Sequence, residues 1–281
     1  MVELWSLGFV FVAGFITALA TGLGAVPFFF VDEVSDRWNV ALWGIASGIM
    51  LSASVFGLVL EALGAYVHVS LSGVAVDPIP RSDLSLLALG LLAGVVLVYV
   101  AHDFIEATDV DPKQYAEADF KKLVLILGVL TVHSFPEGVA VGVSFADLGI
   151  EGGTQILGFV VPLLAIFMTI AISIHNVPEG VAISIPLRSM GVANWKLVWW
   201  SVFSSLPQPI GAVLAFYFVR IAREFLPAGF GFAAGAMIYL VLTEFIPEAR
   251  AVGRGLPGNG RRELLVGLAF GVFAMVPLAF V

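Results

Sequence analysis

Long apolar stretches separated by short polar connections dominate this 281-residue chain. A helix needs about 20 mostly apolar residues to cross the hydrocarbon core of a bilayer. Stretches of that kind lie at residues 4–30, 39–63, 84–106, 122–147, 155–187, 196–220, 229–248 and 263–281. The sequence therefore predicts an all-α, polytopic membrane protein with eight transmembrane helices, forming a single domain over residues 1–281.

The composition excludes most other classes of protein. Apolar residues make up 60% of the chain and charged residues only 12%, whereas a soluble domain is about a quarter charged. Disorder requires low hydrophobicity, and nucleic-acid binding requires a basic face, which a net charge of −8 does not provide. Because the chain has no cysteine, disulfides, thiolate metal sites and thiol catalysis are excluded as well.

The positive charges indicate an orientation. When the connections are assigned alternately to two sides, only Arg81, Arg220 and Arg223 of the 13 cations fall on one side. Cytoplasmic loops carry the excess of Lys and Arg, so the side with the other cations should face the cytoplasm. We therefore expect both termini to lie outside.

One motif, H-x-x-P-E-G-V-A, occurs twice. It covers residues 133–140 in the predicted fourth span and residues 175–182 in the fifth. Consecutive spans run antiparallel, so the two copies have opposite orientations. Such a pair favours an inverted repeat about an axis in the membrane plane, an architecture common among transporters.

The motif carries groups that bind metal. His and Glu four residues apart lie on one face of a helix, so two facing copies would place His133, Glu137, His175 and Glu179 around one cavity. Imidazole and carboxylate together suit Zn²⁺, with Fe²⁺, Mn²⁺, Co²⁺ and Cd²⁺ as alternatives. Ionisable groups are costly within a bilayer and commonly mark ion pathways. The repeat thus predicts a divalent-metal site between spans four and five.

These paired motifs resemble those of the ZIP (Zrt/Irt-like) family of divalent-metal transporters. Other stretches are similar to that family in the first, second, sixth and seventh spans: Thr21–Pro27, Ala46–Ser54, Gln208–Ala212, and Ala234–Tyr239 with Glu244 and Pro247–Ala249. The likeness is greatest to the prokaryotic branch that lacks a His-rich loop. It implies eight spans with both termini outside.

The resemblance also implies a set of site residues. A primary metal site would comprise Met50, His133, Glu137, His175, Asn176 and Glu179. A neighbouring second site would use Ser134, Glu137, Asn176, Glu179 and Gln208. Ser134 and Gln208 stand where other members have Asn and Glu, so we expect one strong site, with the second weak or absent. Asp103 and Glu244, near the cytoplasmic ends of their spans, would form an exit relay for the metal.

The resulting hypothesis is a transporter, not an enzyme, that moves a divalent metal, above all Zn²⁺, into the cytoplasm. It would need no cofactor and no nucleic-acid partner, lie in the cell membrane of a prokaryote in contact with lipid, and be compatible with a homodimer. An intramembrane zinc hydrolase is one alternative, although the H-E-x-x-H signature is absent. A passive metal-selective channel is another, since it would share every ligand.

Overall fold

A computed structural model shows a predominantly helical chain. It describes residues 4–31, 34–63, 67–70, 73–76, 78–106, 134–150, 153–189 and 191–275. The predicted fourth span is therefore described only from residue 134 onward, and the eighth only as far as residue 275. His133 lies outside the described residues.

The helices follow the apolar stretches. In chain order they are α1 (Leu4–Leu23), α2 (Asp36–Ser52, continued by Ala53–Val59 and Leu60–Ala62), α3 (Arg81–Glu106), α4 (134–144), α5 (Leu163–Ser189), α6 (Asn194–Ser204), α7 (Pro207–Ile221), α8 (Leu226–Leu240, continued by Val241–Phe245 and Ile246–Val252) and α9 (Arg261–Ala274). The middle segments of α2 and α8 are π-helical turns, in which the backbone hydrogen bonds skip one residue more than in an α-helix.

Six helical segments in the described part of the chain are long and apolar enough to cross a membrane. They are 4–23, 36–62, 81–103, 163–185, 194–221 and 223–255. Each coincides with one of the predicted spans, namely the first three and the fifth to seventh. The chain is thus a helical membrane protein with several spans, and the full number of eight stays a prediction.

Two short hairpins depart from the all-α prediction. Strand β1 (Val67–Ser70) pairs with β2 (Gly73–Val76), and β3 (Thr154–Ile156) pairs with β4 (Phe159–Val161), both antiparallel. The predicted start of span five at residue 155 is therefore wrong, because the helix begins at Leu163. Leu157 and Gly158 adopt positive φ angles of 50° and 85°, which end a helix and suit a tight hairpin turn.

Two other predicted spans also differ from the helices. The first was expected to reach residue 30, but α1 ends at Leu23 and is followed by a 3₁₀ turn, Val26–Phe29. The sixth is divided into α6 and α7 near Ser205, with Pro207 at the start of α7. A proline has no N–H for the preceding turn and fits the first turn of a new helix, which explains the break.

Close helix contacts depend on glycine. A Cβ atom at Gly48 of α2 would meet backbone atoms of α9 at Gly271, and one at Gly94 of α3 would overlap the Phe232 carbonyl of α8. Small residues permit such close backbone approach between helices in lipid. The pairs α2–α9 and α3–α8 are therefore held at short range.

The motif glycines allow the same approach near the repeated motifs. A Cβ at Gly180 of α5 would overlap the carbonyl oxygen of Thr21 in α1, and one at Gly138 of α4 would overlap that of Gln208 in α7. The contacts therefore form two matching sets. One set consists of the pairs α1–α5 and α2–α9, and the other of the pairs α7–α4 and α8–α3. Helices α2 and α8, which correspond to each other, both contain a π turn. Paired sets of this kind are expected of two structural repeats. Each set contains one motif helix, α5 in the first and α4 in the second, and these two helices contact each other through His175 and Glu137.

Candidate metal centre

Three motif side chains meet in the interior. Glu137 of α4 and His175 and Glu179 of α5 each offer a ligand atom, and these atoms all lie within 4.8 Å of one another. The side chains are almost fully enclosed, with exposed fractions of 1%, 1% and 5%. A buried carboxylate without compensation costs several kcal/mol, so two together with an imidazole form a site that is suited to a cation.

His175 joins the two copies of the motif. Its Nε2 lies 3.3 Å from Oε1 of Glu137, within ion-pair distance across the α4–α5 interface. Its ring stacks on Phe245 in the π turn of α8, with 5.3 Å between centroids and 20° between planes. Phe245 in turn contacts Trp43 of α2 at 5.0 Å. Aromatic rings from α2 and α8 thus cover this side of the cluster and limit the rotation of the imidazole.

A hydrogen-bond network covers another side. Nε2 of Gln208 donates to Oε2 of Glu137 at 2.5 Å. Oε1 of Gln208 accepts from the Thr17 hydroxyl at 2.6 Å and from Nδ2 of Asn176 at 3.0 Å. The same Nδ2 donates to the backbone carbonyl of Thr17 at 2.7 Å. Gln208 of α7, itself held by α1 and α5, therefore fixes the position of Glu137 in α4.

Several buried polar atoms lack hydrogen-bond partners among the described residues. Those in the motif pair are Oγ of Ser134, both ring nitrogens of His175, Oδ1 of Asn176 and Oε2 of Glu179. An unpaired buried polar atom costs about 1–3 kcal/mol, and native structures contain few of them. The motif pair holds five such atoms, all on side chains predicted from the sequence to bind metal, and a bound cation would satisfy several of them.

Met50 is the remaining predicted ligand among the described residues. It lies in α2, with 1% of its surface exposed, and belongs to the hydrophobic core around the site. Ser54, one turn later and within the π turn, donates its hydroxyl to the Met50 carbonyl. Its role as a ligand stays a prediction, as does that of His133.

A second group of ionisable residues lies between α3 and α8. Nδ1 of His102 is 2.9 Å from Oε1 of Glu244, which sits in the π turn next to Phe245. Phe245 itself stacks on His175, so Glu244 lies one residue away from a direct contact with the cluster. Asp103, the other predicted relay residue, is exposed beside His102. His102 thus lies next to Asp103 in the sequence and contacts Glu244, the other predicted relay residue, directly.

Sequence reasoning missed two contributors. Thr17 provides a hydroxyl and a carbonyl to the network, and Phe245 supports the imidazole. Thr17 and Thr21 are polar residues four apart in an otherwise apolar span, which is a weak signal for a polar helix face. Phe245 carries no such signal, since aromatic residues are common in every span.

Comparisons with known proteins identify related sequences. The family model described as ZIP Zinc transporter matches residues 106–279. The zinc transporter GufA of Myxococcus xanthus is 30% identical over 94% of this chain and 96% of its own length. The zinc transporter ZIPB of Bordetella bronchiseptica is 34% identical over 88% of this chain and 74% of its own length. A protein of Arabidopsis thaliana assigned as a zinc transporter is 41% identical over 83% of this chain, which spans about a third of it (33%).

Proposed function

The chain belongs to the ZIP family of divalent-metal transporters, and from this we propose that it carries Zn²⁺ into the cytoplasm through the buried cluster of Glu137, His175 and Glu179. The observation that carries the proposal is the convergence of these three ligand atoms within 4.8 Å at almost complete burial. Members of this family are transporters rather than enzymes, so the intramembrane hydrolase is no longer an alternative.

The charges of the cluster match a divalent ion. Two carboxylates balance the ion's two positive charges, which lowers the cost of moving it through the low-dielectric interior. The imidazole of His175 favours Zn²⁺ over the hard cations Mg²⁺ and Ca²⁺, which prefer oxygen ligands. Fe²⁺, Mn²⁺, Co²⁺ and Cd²⁺ are competing substrates for the same ligands.

Further ligands would come from the unpaired atoms. Oδ1 of Asn176 and Oγ of Ser134 are buried and free of hydrogen bonds among the described residues, and both lie on the motif helices. His133 occupies in the first motif the position that His175 has in the second. With Met50 as a soft donor, these residues would complete the coordination shell.

Release would follow the acidic groups beside the cluster. Glu244 adjoins Phe245, whose ring stacks on His175 of the cluster, and Glu244 contacts His102 at 2.9 Å. Asp103 is exposed next to His102. These side chains form a short path from the buried cluster to the predicted cytoplasmic side, which is the relay that we propose for Asp103 and Glu244.

The remaining features of the proposal come from the sequence. The unequal distribution of cations supports eight spans with both termini outside. Inward transport rests on the membership of the ZIP family. The relatives from bacteria support a cell-membrane location in a prokaryote. The glycine faces pack against other helices of the same chain and therefore give no support to the homodimer.

Uptake into liposomes tests the proposal. Purified protein is reconstituted with an internal Zn²⁺ indicator, and wild type is compared with Glu179→Gln. The control is Glu224→Gln, the same substitution at an exposed carboxylate on the turn after α7. We expect saturable filling by wild type and Glu224→Gln and none by Glu179→Gln. Equal uptake by all three would contradict the site, and non-saturating flux would favour a channel.

A further inference from the structure

Gln208 is a fully buried amide whose two ends face different partners. It lies at the start of α7 with no exposed surface. Its Nε2 donates to Glu137 at 2.5 Å, while its Oε1 accepts from Thr17 at 2.6 Å and from Asn176 at 3.0 Å. The amide therefore separates the carboxylate of α4 from the polar groups of α1 and α5.

One backbone atom dictates the orientation of this amide. The carbonyl oxygen of Thr17 can only accept a hydrogen bond, so Asn176, 2.7 Å away, must direct its NH₂ group there. The same NH₂ lies 3.0 Å from Gln208, so Gln208 must present its oxygen to it. The nitrogen of Gln208 is then left to face Glu137. A reversed amide would set donor against donor and oxygen against carboxylate.

The Thr17 hydroxyl reinforces this orientation. It lies 2.6 Å from Oε1 of Gln208, a distance at which two oxygens require a shared proton. It also lies 2.7 Å from the carbonyl of Gly14, so the one proton is shared between two acceptors. Both lone pairs of the Gln208 oxygen are thereby occupied, and no atom of this side chain remains to bind a metal ion.

The NH₂ group also occupies one side of the Glu137 carboxylate. Where two metal ions share a bridging carboxylate, each oxygen faces one cation. Here Oε2 faces the partial positive charge of an amide, and only Oε1, on the side of His175, is open to an ion. A hydrogen-bond donor thus neutralises the position where a second cation would lie.

We propose that Gln208 is a positioning residue that takes the place of a second metal ion and, held by Thr17, restricts the site to one ion at a time. This inference rests on the proposed function and replaces the expectation that Gln208 is a metal ligand. It gives a physical reason for a weak or absent second site.

Metal stoichiometry tests the role of Gln208. Zn²⁺ bound per chain is measured by equilibrium dialysis and elemental analysis for purified wild type and Gln208→Glu. In the variant the donor becomes an oxygen facing Glu137, so two carboxylates lie side by side and attract a second cation. The control is Gln155→Glu, which adds the same charge at an exposed position in β3. We expect one ion in wild type and the control, and two in Gln208→Glu.

The outcomes separate this inference from the proposed function. Two ions in wild type, or an unchanged single ion in a folded Gln208→Glu variant, would overturn the inference alone. Absence of binding by wild type would overturn the proposed function and the inference together.

Two Thr17 variants test the orientation independently. Thr17→Val removes the hydroxyl and keeps the carbonyl, whereas Thr17→Ser keeps both. Loss of one hydrogen bond to the amide should raise the KM of Zn²⁺ uptake about fivefold in Thr17→Val with little change in kcat. Thr17→Ser should match wild type. Equal KM values for the two variants would overturn the role of Thr17.

Discussion

Nε2 of His175 lies 3.3 Å from Oε1 of Glu137, although the two residues belong to different copies of the repeated motif. Each copy alone supplies a histidine and a glutamate four residues apart in the sequence. This contact across the α4–α5 interface supports our proposal that the metal site is formed between the two copies. The following predictions depend on that arrangement.

Zn²⁺ should stabilise the wild-type protein against unfolding. A ligand that binds only the folded state adds about 2.7 kcal/mol at a concentration 100 times its Kd. We expect the unfolding temperature in detergent to rise with Zn²⁺ for wild type and to stay constant for Glu179→Gln. A rise of equal size in both would mean that the ion binds elsewhere.

His175→Asn should change the metal preference. The substitution replaces the imidazole with a neutral oxygen donor and leaves the carboxylates in place. Because Zn²⁺ gains more from a nitrogen ligand than Mn²⁺ does, Zn²⁺ uptake at low concentration should fall about tenfold or more and Mn²⁺ uptake much less. The ratio of the two metals in a competition assay measures this, and an unchanged ratio would exclude His175 as a selective ligand.

His102 and Glu244 should act as one unit in release. Their side chains are 2.9 Å apart, so removing either partner should slow turnover, and removing both should cost no more than the worse single change. We predict this pattern in kcat for His102→Ala, Glu244→Gln and the double variant. Strictly additive losses would show that the two side chains act separately.

Gly180→Ala should destabilise the fold. The added methyl group would overlap the carbonyl oxygen of Thr21, and overpacking of this kind costs about 1–3 kcal/mol or more. Gly8→Ala in α1 is the matched control, because no atom lies within 4 Å of its added Cβ. Thermal unfolding should show a clear loss for the first variant and a change within about 1 kcal/mol for the second. Equal stability of the two would contradict the close α1–α5 contact.

The sequence was sufficient for the helical membrane fold and for the choice of the motif as the candidate site. Span length and hydropathy suffice for long helices, and a repeat of His, Pro, Glu and Gly stands out against an apolar background. Span length and hydropathy do not suffice to predict the hairpin before α5, because residues 154–161 are about as apolar as a membrane-spanning helix. Only the turn at Leu157 and Gly158 distinguishes it.

Thr17 shows a different limit of sequence reasoning. A threonine in an apolar span ordinarily satisfies its hydroxyl on a carbonyl of the preceding turn, and Thr17 does contact Gly14 in this way. Its contacts to Gln208 and Asn176 join residues 191 and 159 positions away. Such pairings depend on how α1, α5 and α7 pack, which no local pattern encodes.

The contacts of the two motif glycines show where the two repeats differ. Gly138 packs against the backbone of Gln208, and in the other repeat Gly180 packs against the backbone of Thr21. The amide of Gln208 and the hydroxyl of Thr21 therefore occupy corresponding positions. The hydroxyl of Thr21 is paired with Ser205, whereas the amide of Gln208 holds Glu137. Two identical repeats would present the same side chains to an ion from either side of the membrane. At these matching places the two halves differ in their side chains, because Gln208 holds a carboxylate of the cluster and Thr21 does not.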